Sequence, residues 1–493
     1  MNDSDVQIRL ALISHTNNGK TTLARTLLGA DVGEVRDAAH VTLNSESHVL
    51  LTSAQGDSLQ LWDTPGFGDS ARLLKRLGMS DNPIGWFLRE VLDRHRDRPF
   101  WLSQQALRTA RDTADVVLYL VNSAENPGDA GYLAPEMKIL QWLGKPVLVL
   151  LNQMGPPRPA PQEQAELSRW SHHLEEYPIV RQVLALDAFA RCWVHERVFY
   201  EALGKLIAAP QKAAYARLLA AWQAANETRF ADSMRLTAQQ LQAATQDSQP
   251  VEAESKSLLN SALRVTGLRK SGTQRLQEQA MAILIGRLNQ GTAKTTRELL
   301  TLHRLDPGQA SQINTRVREN FVIRAPIDRA QAGLLGAVLS GAATGLSADL
   351  LAGGLSLGAG ALLGSVVGAL TFAGAAWGFN STTDRNQPKV QFSDEFLRTL
   401  LVASVLRYLT VAHFGRGRGN FEESEAPAFW QGAVETAVLA HEKEVGSLWP
   451  ALRAHRVTDE KAASAQELLL AITSSTLAHL YPARGFTLGA APG

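Results

Sequence analysis

Between an alternating apolar run and a leucine-spaced segment, the chain reads Ser14-His15-Thr16-Asn17-Asn18-Gly19-Lys20-Thr21. The pattern GxxxxGK[ST], set between a strand and a helix, cradles a nucleotide triphosphate; here serine stands in its first place. Successive backbone N–H groups and the N-terminus of the following helix would wrap the β-phosphate. Lys20 would reach the β/γ oxygens, and the Thr21 hydroxyl would ligate Mg²⁺. Ser14, Asn17, Asn18, Gly19 and Thr22 complete the candidate nucleotide-binding loop. Glycine reaches backbone angles closed to other residues, and the small serine is read as a tolerated substitute for it.

Such a loop needs a sheet to hold it. Val6, Ile8, Leu10 and Leu12 alternate and predict the strand before it; Leu23, Leu27 and Leu28 predict the helix after it. Downstream, "LQLWDTPGFGDS" places Asp63 directly after a second alternating strand. "DVVLYLVNSAENP" and "KPVLVLLNQMG" are near-continuous apolar runs, as expected of parallel strands covered on both faces. "RQVLALDAF" predicts a last strand ending at Asp187. The expected fold over residues 1–205 is therefore an α/β domain with a mostly parallel sheet and helices on both faces.

"NNGKTT", "DTPGFGD" and "LNQMG", in that order, resemble the translation-factor-like GTPases and, within them, the Era-like group. The resemblance implies that Asp63 holds Mg²⁺ through water and that the Gly66 N–H senses the γ-phosphate. Thr42, in "VGEVRDAAHVT", is then the switch threonine that closes on Mg²⁺. Phe67 occupies the place of the glutamine that orients the attacking water in Ras-like enzymes, so another charge stabiliser is needed. Asn17 sits where potassium-activated relatives coordinate K⁺, and it reads equally well as a polar turn residue. The implied catalytic set is Asn17, Lys20, Thr42 and Gly66; the implied metal set is Thr21, Thr42 and Asp63. Asn152, Gln153, Met154 and Gly155 replace the Asn-Lys-x-Asp of these enzymes. Asn152 supports the base and its loop, and Gln153 supplies part of the lysine's aliphatic packing. Gly155 lacks the carboxylate that pairs with guanine, whereas Ala188 keeps the alanine whose N–H contacts the guanine oxygen. More narrowly, "GEVRDA", "VLYLVNSAENP", "LNQMG" and a glycine-rich apolar block resemble a bacterial group that joins such a domain to a long C-terminal region of uncharacterised function.

The 493 residues carry 49 basic and 48 acidic side chains, leaving no basic field for nucleic acid; no nucleic-acid partner is expected. A single cysteine, Cys192, fits a reducing compartment. "MNDSDV" has no signal-peptide character, which points to the cytoplasm. An insert over residues 68–114 carries Trp86, Phe87, Phe100 and Trp101 beside Arg94 and Arg96. It reads as a peripheral helix packed on the domain, or as an arm for a partner or a second copy of the chain, with either arginine a candidate finger.

From 206 to 329 the spacing predicts a helical stalk or bundle, and 381–493 reads as further helix. His413, His441 and His455 lack metal-ligand spacing. Between them, residues 330–380 hold one charge, Asp349, and glycines four apart at 341/345, 354/358 and 360/364/368. About 20 apolar residues span a bilayer as helix, and small residues at this spacing let helices approach closely. An apolar helical hairpin turning near Asp349 is expected, either in contact with a membrane or buried in the bundle. The combined expectation is a protein that binds and hydrolyses GTP with Mg²⁺ and K⁺. It would couple nucleotide state to a membrane or an integral membrane protein at the inner face of the cytoplasmic membrane. Two alternatives stand beside it: an ATPase, motivated by Gly155, and a membrane scaffold with a near-inactive nucleotide domain.

Overall fold

The computed structural model describes residues 5–29, 46–67, 70–77, 98–154, 158–186, 192–250, 272–311, 313–314, 377–380, 389–414, 429–454 and 459–481. Thr42, Arg94, Arg96, Gly155, Ala188 and residues 330–376 of the apolar block lie outside them. The chain divides into two compact units. One comprises residues 1–229 with 412–427 and 481–486; the other comprises 230–411, 428–480 and 487–493.

The first unit is built on a six-stranded sheet in the order β2-β3-β1-β4-β5-β6. Its strands are β1 (Gln7–Ser14), β2 (Glu46–Thr52), β3 (Ser58–Asp63), β4 (Val116–Asn122), β5 (Val147–Asn152) and β6 (Val180–Ala185). β1, β3, β4, β5 and β6 run parallel, and β2 pairs antiparallel with β3 at the edge. β5 is buried at every position, and β4 at all but Asn122, which is why both read as continuous apolar runs. In register, Leu12 pairs with Asp63, Ser14 with Leu120, and Asn122 with Asn152. The carboxyl ends of β1, β3, β4 and β5 thus share one edge, where open α/β sheets bind ligands.

Helices α1 (Lys20–Leu28), α2 (Ser70–Leu77), α3 (Arg98–Asp112), α4 (Leu133–Leu143), α5 (Ala160–Leu174) and α6 (Trp193–Leu206) accompany the sheet, and α7 (Lys212–Gln246) follows. Phe100 and Leu107 of α3, Met137 and Leu140 of α4, and Trp170 of α5 join Ile13, Tyr119 and Val149 in one buried cluster. Phe100 is buried and Trp101 packs against the same cluster, so these two aromatics of the insert serve the domain core. Trp86 and Phe87 lie outside the described residues.

The second unit is helical, as expected, with one small addition. α8 (Gly272–Leu302), α9 (Asp394–Ala412), α10 (Phe429–Ala440), α11 (Glu442–Arg453) and α12 (Asp459–Leu480) account for most of its described residues. Strands β7 (Ser248–Pro250), β8 (Trp377–Asn380) and β9 (Lys389–Phe392) form an antiparallel sheet in the order β7-β9-β8. β8 is the tail of the glycine-rich block, where the sequence predicts hairpin helix. Among the described residues no helix is long and apolar enough to cross a membrane. In this unit the Arg407 guanidinium is buried and donates to Asn314 Oδ1 at 3.0 Å; burial lowers its pKa to about 10.

Candidate functional site

β1 runs into the loop at Ser14, which is fully buried, and α1 begins five residues after His15, at Lys20. Asn17 and Gly19 adopt left-handed backbone angles, with φ of 67° and 80°. Asparagine tolerates that region and glycine enters it without strain. Gly19 is required twice over, because a Cβ there would lie 2.6 Å from Asn152 Nδ2. Ser14 is not among the positive-φ residues, so its position does not demand glycine. Its hydroxyl accepts from Lys20 Nζ at 3.0 Å and donates to the His15 carbonyl. Serine in the first place of the motif therefore holds the loop lysine.

Lys20 is 7% exposed. Burial pushes its ammonium below the usual range, and the nearby carboxylates of Asp63 and Glu136 oppose that shift. At the end of β3, Asp63 Oδ2 accepts from the Thr21 hydroxyl at 2.7 Å. Two hard oxygen donors from two elements thus meet beside the lysine, the chemistry that suits Mg²⁺. Thr64 donates to the Leu12 carbonyl at 2.7 Å and ties the following turn to β1. The next segment lies along the loop: Phe67 N–H donates to Ser14 O at 2.9 Å, and His15 bridges Phe67 in parallel. A Cβ on Gly66 would meet Lys20 Nζ at 3.0 Å and Thr16 at 3.2 Å, so a side chain here would crowd the loop.

The other flank is braced by asparagines. Asn152, fully buried at the end of β5, donates from Nδ2 to Asn18 O at 2.9 Å, while Asn18 Nδ2 donates to Leu120 O at 3.2 Å. Gln153 follows with φ of 59°. Ser14, Asn17, Asn18, Gly19, Lys20, Thr21, Thr22, Asp63, Gly66, Asn152 and Gln153 therefore gather at one sheet edge. Thr42 and Ala188 lie outside the described residues. Asn17 is exposed.

Sequence reading passed over Glu136. It is fully buried on α4, where its carboxylate accepts from Tyr119 Oη at 2.6 Å and from the Ser70 hydroxyl, with His15 Nδ1 at 2.8 Å. A signal was present. Glu136 stands three after Leu133 and four before Leu140, on the helix face that buries Leu133, Met137 and Leu140, and an acid there must find partners. Among the described residues, no group of three or more His, Cys, Asp or Glu forms a metal cluster. His413 is a packed histidine, buried and bonded to Tyr481.

Residues 9–153 match the family model described as "50S ribosome-binding GTPase". Residues 179–471 match the one described as "Domain of unknown function (DUF3482)". No curated protein matches the chain. Among solved structures, Era in complex with MgGDPNP and a fragment of 16S ribosomal RNA is 18% identical; the match covers 37% of this chain and 51% of that one, with a TM-score of 0.28. An Aquifex aeolicus Era variant bound to GDP·AlF4⁻ is also 18% identical, over 37% and 51%, with a TM-score of 0.29. Chloroplast translocon components match at 18% identity over 38% and 72%, with a TM-score of 0.24. The chain thus spans about half the length of the Era chains it matches.

Proposed function

From the premise that this chain belongs to the DUF3482 family and carries an Era-like P-loop GTPase domain, we propose that it hydrolyses GTP and couples its nucleotide state to the helical region. The observation that carries the reading is the meeting of Lys20, Thr21 and Asp63 at the sheet edge, with Thr21 Oγ1 2.7 Å from Asp63 Oδ2. In the reaction, water attacks the γ-phosphorus, the bond from that phosphorus to the β,γ-bridging oxygen breaks, and GDP and phosphate leave. Lys20 binds the β/γ oxygens once the nucleotide draws it from Ser14. Loop N–H groups from Asn17 to Thr22 hold the β-phosphate, and the Gly66 N–H donates to the γ-phosphate. Thr21, Asp63 and Thr42 would hold Mg²⁺, which supplies charge neutralisation at the phosphate oxygens. Phe67 is buried and apolar, so it orients no water. Asn17 is the candidate ligand for a K⁺ ion that supplies the missing positive charge.

Coupling to a membrane rests on the apolar, glycine-spaced block alone. Homodimerisation and a location at the inner membrane face belong to the same proposal. Calorimetry with Mg²⁺·GTP, followed by competition with ATP, tests the nucleotide. Saturable GTP binding that ATP does not displace supports the reading. Displacement by ATP at similar concentration favours the second reading, an ATPase, for which Gly155 in place of a guanine-pairing acid is the motive.

A further inference from the structure

We propose that Glu136 is a positioning residue that fixes Gly66-Phe67 and Ser70 against the phosphate loop, so that it governs turnover of the nucleotide rather than its binding. This rests on the reading of the loop as a GTP-hydrolysing site.

A carboxylate taken fully out of water is costly unless donors match its lone pairs. Glu136 meets donors from three separate parts of the first unit: His15 in the loop, Tyr119 on β4 and Ser70 at the first turn of α2. Burial, and then Glu136 itself, hold the Tyr119 phenol protonated well above its usual range, so it remains a donor. The His15 ring stacks on Tyr132 at 4.3 Å with an interplanar angle of 12°, and Tyr132 Oη donates to Glu125 at 2.6 Å. That stack turns Nδ1 toward the carboxylate.

The same loop residues also hold Gly66 and Phe67. Ser14 O accepts from Phe67 N–H, His15 bridges Phe67, and Thr16 faces Gly66. Moving the start of α2 therefore pulls on Glu136, and through His15 on the strip that sets the Gly66 N–H. A γ-phosphate needs that N–H in place; the β-phosphate is held by the loop and Lys20 alone. Loss of the tether should leave GDP binding intact and slow the chemical step.

The test is Ser70→Ala in the full chain, with Ser70→Thr as the conservative rescue. GDP affinity by calorimetry should stay within about twofold, while single-turnover GTP hydrolysis falls about tenfold or more, the scale of one lost hydrogen bond to a charged group. Ser70→Thr should restore the rate. Glu136→Gln, checked for folding by thermal melt, should show the same split between binding and turnover. Wild-type turnover in Ser70→Ala overturns the inference, as does a loss of GDP affinity proportional to the loss of rate, which marks a purely structural role. Absence of GDP binding by the wild type overturns the site reading first, and the inference with it.

Discussion

Lys20 sits buried with its ammonium on Ser14 Oγ and two carboxylates nearby, so a phosphate entering the loop finds a desolvated positive charge already aimed. Lys20→Ala should abolish triphosphate binding, because no other side chain of the loop brings a cation to the β/γ oxygens; unchanged affinity by calorimetry would remove the phosphate-loop assignment. Asn17 makes a sharper case. Its left-handed φ of 67° suits an asparagine turn, and its exposure leaves the amide accessible to an ion. If it seats K⁺, exchanging Na⁺ for K⁺ raises GTP turnover, and Asn17→Ala removes the difference. Equal rates in both salts would leave Asn17 a turn residue. At this scale the sequence carried the motif residues by type and order. The role of Ser14 was not legible, since only the backbone angles reveal that glycine is unnecessary there and that the hydroxyl holds Lys20. Nor was Glu136 found, because its three partners lie on separate elements and converge only in the fold.

At the scale of elements, the turn between β2 and β3 is clamped to α7. Arg217 grips Asp57 through two hydrogen bonds, at 2.7 and 2.9 Å, and Ser53 Oγ adds a third at 2.7 Å. Asp57 is 1% exposed. The Arg217 hydrogen bonds outweigh burial and draw its pKa from 3.8 down to about 2. A carboxyl depressed in the folded state stabilises it above the unfolded pKa, and that contribution fades as pH falls through the folded value. The clamp therefore adds about 2 kcal/mol near neutral pH, lost between roughly pH 4 and pH 2. Arg217→Ala removes both hydrogen bonds to the acid and should cost roughly 1.5–3 kcal/mol at pH 7. In urea titrations the gap between this variant and wild type should narrow as pH drops through that window; a pH-independent gap would mean that Asp57 titrates normally. Long, strongly patterned elements were legible, as β4, β5 and α7 show. The edge strand β2 was not, since Val49 is 52% exposed and "ESHVLLT" lacks a clear apolar alternation. β7, β8 and β9 are three or four residues each, and β7 finds β9 only across a long stretch of sequence, so no local period announces them.

For the molecule as a whole, the open matter is what nucleotide state does to the helical region. A glycine-spaced block with Asp349 as its one charge packs in water or in lipid alike, and GTP can drive its release toward a bilayer only by binding the released state more tightly. Nucleotide-dependent co-sedimentation with liposomes is expected, weakened by Gly345→Asp or Gly364→Asp, each placing a charge that costs roughly 2.5–3.5 kcal/mol at a membrane helix centre. Thermal melts of both variants separate this from loss of folding, and a wild-type chain that stays in the supernatant in every nucleotide state removes the membrane reading. All of this stands on the nucleotide site, and phosphate release from GTP by the full chain, followed against Mg²⁺ concentration, tests that site most directly. The wild type should release phosphate only with Mg²⁺, and Asp63→Ala should lower the rate by about a hundredfold, the upper range for loss of a group that orients a bound metal. Equal release by wild type and Asp63→Ala, or none from the wild type in K⁺ with Mg²⁺, would contradict the account.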